Sequence, residues 1–183
     1  MTETQAYPPL SDADWPDEIA GMRAGFAGGL NVYRTMAHNP ALLAAWADLR
    51  EHVVNRTALG KQGSEVVILR TGVRLGSEYE WRQHVSRARK CGMEDARILT
   101  LRGPVEAMAP EDAVLAQAVD ELFAEARLSE ATLSAMAGQV GRAGVFDLMA
   151  TVGFYSTLGF ILNTAATPLD DDIAAELAAR PLT

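Results

Sequence analysis

A chain of 183 residues, 49% of them hydrophobic, has the length and apolar content of one domain with its own core. A net charge of −8 argues against sequence-independent nucleic-acid binding, which runs on clustered Lys and Arg, but places no limit on a small anionic substrate, which responds to local charge. The single cysteine excludes an intrachain disulfide framework and fits a reducing compartment. The start of the chain, with Glu3, Asp12, Asp14 and the Pro8-Pro9 pair, lacks the basic flank and apolar run of a signal peptide. No window reaches the roughly 20 uninterrupted apolar residues of a membrane helix. The expectation is a cytoplasmic protein with no membrane and no nucleic-acid partner.

Tyr7-Pro8-Pro9-Leu10 reads as an extended lead-in, after which Ser11 is expected to cap a first helix with Asp14 three residues on. Asn39-Pro40 marks the next start, Asn39 as the cap and Pro40 in the first helical position. Leu42, Leu43, Trp46, Leu49 and Val53 follow at helical spacing and predict a buried stripe around Trp46. Leu59 to Ser64 reads as a turn. From Ser64 to Arg74 the short run Val66-Val67-Ile68-Leu69 suits helix or strand, and helix is expected because no partner strand lies nearby.

Gly92-Met93 ends the next helix, Glu94 to Leu101 forms a short one, and Gly103-Pro104 is a loop. Pro110 with Glu111 and Asp112 opens a helix through Phe123, its acids at the positive end of the dipole. Ser129 caps a helix to about Gln139. Gly144 to Asn163 reads as a separate helix, apolar nearly all round, which predicts complete burial against other helices or another subunit. A loose likeness between residues 65–84 and 144–163 hints at internal duplication. Pro168 and Asp170-Asp171-Asp172 begin a short last helix. The expected fold class is all-α: a lead-in and first helix over 1–30, a helical domain over 31–168, and a short helix and tail over 169–183, one domain overall.

Chemistry concentrates in Leu75 to Val85. Ser77, Glu80 and His84 follow one another at three and four residues, so on one helix they project within about 60° of each other. A hydroxyl, an acid and a base can then line one cavity wall. Glu80 and His84 alone are also an ordinary helix-surface pair worth about 0.2–0.5 kcal/mol. On an unbroken helix Glu65 lies about 120° from Ser77, and Gly72 and Gly76 offer the break that would bring it to the site. Arg70 and Arg74, one turn apart, and Arg82 or Arg87 beside His84 are candidate clamps for a carboxylate. Tyr79 flanks the motif as a substrate contact or a core residue, and Trp81 does the same. Glu65, Glu80 and His84 have donor types that suit Zn or Mn, but without His-x-x-x-His or Glu-x-x-His spacing no metal is expected. His38 reads as a helix-end residue, His52 as a solvated one and Cys91 as a packing or helix-terminal residue.

These residues carry a family resemblance. Gly76-x-x-x-Glu80-x-x-x-His84-Val85, followed by a basic helix end and the turn Cys91-Gly92-Met93, resembles the core motif of the carboxymuconolactone decarboxylase family. The related alkylhydroperoxidase-D branch carries a relay glutamate twelve residues before a Cys-x-x-Cys pair and a histidine four residues after it. Glu65, Ser77, Glu80 and His84 fall at those spacings, with serine and glutamate in place of both thiols. Val152-Gly153-Phe154-Tyr155 and Leu162-Asn163-Thr164 resemble the tail of longer members, so the likeness runs from about Arg34 to Pro168.

The resemblance implies an alkylhydroperoxidase-D-like helical bundle assembled as a homo-oligomer, a trimer or hexamer, with dimers as alternative building blocks. It implies a lyase of aromatic compound catabolism. A small anionic, carboxylated lactone loses carbon dioxide, leaves a dienolate-like electron pair and regains a proton on carbon. The lactone carbonyl is the electron sink, so no metal and no organic cofactor is expected. In this reading His84 handles the proton, Glu80 holds its tautomer or carries the proton itself, and Glu65 is the relay. An alkylhydroperoxidase-like, peroxiredoxin-type antioxidant function is the first alternative. It requires an attacking thiolate and a resolving thiol, and Cys91 has no partner within the chain. A noncatalytic oligomeric scaffold is the second. The resembled decarboxylases carry positive charge near Ser64-Glu65, where this chain has an acid, and this leaves the particular lactone open.

Overall fold

The structure is a computed structural model and describes residues 6–182, so Glu3 lies outside the described residues. Among these residues nine α-helices and no strands are found. Ser11 does not cap a helix: its hydroxyl donates to Asp14 Oδ2 at 2.6 Å and closes a local turn. The reason is Pro16, which disfavours helical backbone at the residue before it. Helix begins only afterwards, with a 3-10 turn over Asp17–Ile19 and α1 over Ala20–Arg23.

Helix α2 covers Asn31–Met36. Helix α3, Pro40–Glu51, starts as its sequence predicts, with the Asn39 side chain accepting from the Leu42 amide. Its buried stripe is narrower than the spacing suggests. Leu43 and Val53 are buried, Leu42 and Leu49 are exposed, and Trp46 is half-buried against the Phe154 ring. The helix then widens into a π-helical turn over His52–Arg56. His52 is not simply solvated: its Nε2 lies 2.7 Å from Asp147 Oδ1, while Asp147 Oδ2 accepts the Ala58 amide at 2.6 Å.

Helix α4, Gly60–Leu75, starts four residues earlier than predicted. It packs against α5 (Glu78–Lys90), α7 (Pro110–Glu125) and α8 (Glu130–Ala165). Val66, Val67, Ile68 and Leu69 are all buried. A helix surrounded by other helices loses its one-sided periodicity, which is why this run also resembled a strand. Helix α6 covers Asp95–Thr100 and α9 covers Asp171–Ala179.

The chain breaks between α4 and α5 at Gly76, which takes left-handed φ 60° and ψ 31° as the cap of α4. Gly72 stays helical and serves another purpose. A Cβ there would stand 3.4 Å from both Glu80 Cβ and the Trp81 amide, at contact distance, so α5 passes close enough to leave room for no more than a methyl group.

The two helices expected over 129–139 and 144–163 are present as the two segments of α8, separated by a kink at Gly141, whose φ of 71° and ψ of 175° are not helical. The other helices of the chain cover only part of the apolar half of α8, leaving Phe146 73% and Phe160 60% exposed. This helix is long and apolar enough to cross a membrane by length and composition, yet over half of its apolar window is buried inside the fold. Two buried clusters result, one around Val66, Trp81, Leu115 and Leu148, the other around Tyr33, Leu43, Phe154 and Leu158. Helices α4, α5 and α8 contribute to both.

Candidate functional site: a carboxyl–imidazole–carboxyl row

The α4–α5 turn brings Glu65 to His84. Glu65 Oε2 lies 2.7 Å from His84 Nδ1, and Glu80 Oε2 lies 3.5 Å from Nε2 on the other side of the ring. The imidazole thus sits between two carboxyl groups. Glu80 and His84 are each 3% exposed. The Tyr155 ring meets the imidazole edge to face, with centroids 5.0 Å apart.

Burial fixes the protonation of the row. It pushes the Glu80 carboxyl up to about 8, opposed by the Arg87 guanidinium and helped by the charge of Glu65. Burial lowers His84 below the ordinary imidazole value, against the pull of Glu65, and Arg87 adds to the lowering. At neutral pH the row therefore holds a neutral carboxylic acid at Glu80 and an uncharged imidazole. Nδ1–H donates to the Glu65 carboxylate, and Nε2 faces Glu80 as an acceptor. Burial also raises the Tyr155 phenol well above its ordinary value.

Space lies on both sides of the ring. A hollow of about 480 Å³ is lined by Glu65 and His84 together with Ser64, Tyr155 and the π-helical wall at Val53–Asn55, with Lys61, Arg87 and Lys90 among its cations. Behind the ring, Glu80, Gln83 and His84 line a void of about 20 Å³, room for roughly one water. Glu80 Oε1 and Gln83 Oε1 are buried without a hydrogen-bond partner among the described residues.

The other residues singled out by sequence lie elsewhere. Ser77 is the N-cap of α5 rather than part of its face. Its buried hydroxyl has no hydrogen-bond partner among the described residues and it lines neither space. Left-handed Gly76 delays the start of α5 until after Ser77. Arg70 is no clamp: its guanidinium grips Asp120 in two-point fashion at 2.9 and 2.5 Å and donates to the carbonyls of Leu101 and Gly103. Arg74 lies 3.8 Å from the same Asp120 and over the Phe123 ring, also outside the hollow. Tyr79 walls the small void, but its hydroxyl is committed to Asp170 at 2.5 Å and accepts the Val32 amide. Arg82 is exposed. Arg87 lines both spaces.

Cys91 caps the end of α5 as its sequence predicts, yet it also lines the larger hollow. Burial and the Glu65 charge push its thiol up, which disfavours the thiolate. No group of three metal-ligating side chains is arranged to hold an ion among the described residues. Tyr155 and Ser64 entered the sequence reading as parts of the family likeness and not as site residues, and the π-helical wall did not enter it. They reach the site through tertiary packing.

The helical architecture is that of the alkylhydroperoxidase-D-like fold. Residues 40–122, which contain the entire row, match the model of the Carboxymuconolactone decarboxylase family. No curated protein matches the chain. Among solved structures, the debrominase Bmp8, crystallised as a cysteine-to-alanine variant in complex with 2,3,4-tribromopyrrole, aligns with a TM-score of 0.75 at 14% identity, covering 97% of this chain and 98% of that one. An uncharacterized peroxidase-related protein from Silicibacter sp. TM1040 aligns with a TM-score of 0.76 at 15% identity over 94% and 97% of the two chains. A peroxidase-related protein from Ralstonia eutropha JMP134, described as an alkylhydroperoxidase AhpD core, gives a TM-score of 0.74 at 18% identity over 91% and 93%. At these identities the likeness establishes the shared fold.

Proposed function

We propose that this protein is a decarboxylase-like lyase that acts in the cytoplasm by thiol-independent proton transfer on a small carboxylated lactone or a related product of aromatic catabolism. The observation that carries the reading is the Glu65–His84–Glu80 row, which opens at Glu65 onto a hollow of about 480 Å³.

Both ring nitrogens already face a carboxyl group, so the proton reaches a ligand through Glu65. His84 is the middle of the relay. The substrate carbon–carboxylate bond breaks, carbon dioxide leaves, and the electron pair passes into the conjugated lactone carbonyl. Glu80 gives its proton to Nε2 as Nδ1–H moves to Glu65, and Glu65 protonates the carbon. Each turnover consumes one proton, which solvent in the hollow returns through Glu65 to Nδ1 as Nε2–H goes back to Glu80, and this restores the starting tautomer. The chemistry needs no thiol, in keeping with serine and glutamate at positions 77 and 80.

The test is the initial rate of carbon dioxide release from 4-carboxymuconolactone, with helicity checked for each variant. His84→Ala and Glu65→Gln are expected to lose roughly 10²–10⁴-fold in rate with the fold intact, the range set by general acid–base catalysis. Absence of wild-type turnover would remove this lactone as the substrate. An unchanged rate in His84→Ala would remove the relay. Hydroperoxide consumption with a thiol donor, abolished by alkylation of Cys91, would instead favour the antioxidant reading.

A further inference from the structure

Arg87 is a partly buried cation of this site with no counter-charge among the described residues, whereas Lys61 in the same hollow is exposed and Arg50 donates to the Tyr33 hydroxyl. Arg87 stands three residues after His84 on α5 and lines both the larger hollow and the small void. Among the described residues it makes no ion pair and no hydrogen bond, although its charge acts on Glu80, His84 and Tyr155. Other arginines on α4, α5 and α6 behave differently. Arg70 grips Asp120, Arg89 grips Asp95 and Arg97 grips Asp112, each in two-point fashion. A guanidinium drawn partly out of water favours an anion beside it. The same hollow holds a second unsatisfied polar group: Ser64, 6% exposed, has a buried hydroxyl with no hydrogen-bond partner among the described residues.

We propose that Arg87 is the specificity-determining residue of the larger hollow, where it binds the carboxylate of a small organic anion, with the Ser64 hydroxyl donating from the α4 wall. The assignment rests on the proton-transfer reading of the same site and says what that site selects. Its test uses binding alone.

Binding of an anion at Arg87 has a proton consequence. The groups facing Glu80 are Glu65 from α4, Tyr79, His84 and Arg87 from α5, Tyr33 from α2, Arg50 from α3 and Tyr155 from α8. Burial keeps Tyr33 and Tyr155 protonated. An anion that neutralises Arg87 removes the charge opposing protonation of Glu80, so binding takes up protons. By linkage, affinity falls as pH rises through the range in which Glu80 ionises.

The experiment is a calorimetric titration of the intact protein with 2-furoate and with its neutral isostere furan-2-carboxamide. Wild type is expected to bind 2-furoate at least about tenfold more tightly than the amide. Arg87→Gln should abolish that preference and Arg87→Lys should retain part of it. Arg127→Gln, at an exposed position outside the hollow, should leave it intact. Between about pH 6.5 and about pH 9 the wild-type affinity for 2-furoate should weaken severalfold, and Glu80→Gln should flatten that dependence. Equal affinity for acid and amide, no binding of either, or a preference that survives Arg87→Gln overturns the proposal. Neither probe has to turn over, so a failed decarboxylase assay and a failed anion site remain distinct results.

Discussion

Glu80 keeps its proton on folding between the ordinary carboxyl value and about 8. In that window the folded state binds more protons than the unfolded state, so the cost of burying Glu80 grows with rising pH and levels off above about 8. Glu80→Gln should therefore be more stable than wild type at about pH 9, by about 1–3 kcal/mol, with the advantage shrinking toward about pH 5. Urea midpoints across that range check this, and parallel curves for the two proteins would contradict it. Arg70 makes a second prediction. Arg70→Met leaves the Asp120 carboxylate and the Leu101 and Gly103 carbonyls without their donor, and should cost about 3–5 kcal/mol in the same assay. Glu65, Glu80 and His84 were legible in the sequence because the spacing of a known family carries them. The difference between Arg70 and Arg87 was not. It depends on Asp120, fifty residues further on, and on two carbonyls of a loop.

The α4–α5 hairpin is what converts three sequence positions into a row. Gly76 ends α4 in a conformation that favours glycine, and Gly72 admits the α5 backbone to close range. Gly72→Val would drive side-chain atoms into Glu80 and the Trp81 amide, and is expected to cost about 2–3 kcal/mol while opening the Glu65–His84 contact. Thermal unfolding measures the first effect and loss of carbon dioxide release the second. A fully stable, fully active Gly72→Val protein would contradict this account of the hairpin. The two glycines in the sequence pointed to a break without distinguishing the turn-former from the close-contact residue, because only packing separates those roles. The kink at Gly141 falls between the two helices that the pattern suggested, whereas the effect of Pro16 on the preceding backbone outweighed a favourable cap at Ser11.

At the scale of the whole molecule, α8 runs through the core but leaves Phe146 and Phe160 on its outer face. The homo-oligomer implied by the family resemblance remains a proposal, and this face gives it a test. Phe146→Asp with Phe160→Asp should lower the mass measured by light scattering if α8 lies at the subunit contact, whereas an unchanged mass would move the contact elsewhere. The all-α architecture was readable throughout because caps, prolines and helical spacing recur along the chain. The exposed side of α8 was not, since its composition is apolar on every face. The most direct measurement of the central claim is the nitrogen-15 spectrum of the His84 ring. The account predicts an uncharged ring at neutral pH, protonated at Nδ1 toward Glu65, with a bare Nε2 whose shift moves as Glu80 ionises near about 8. An imidazolium at neutral pH, or a proton resident on Nε2, would contradict it.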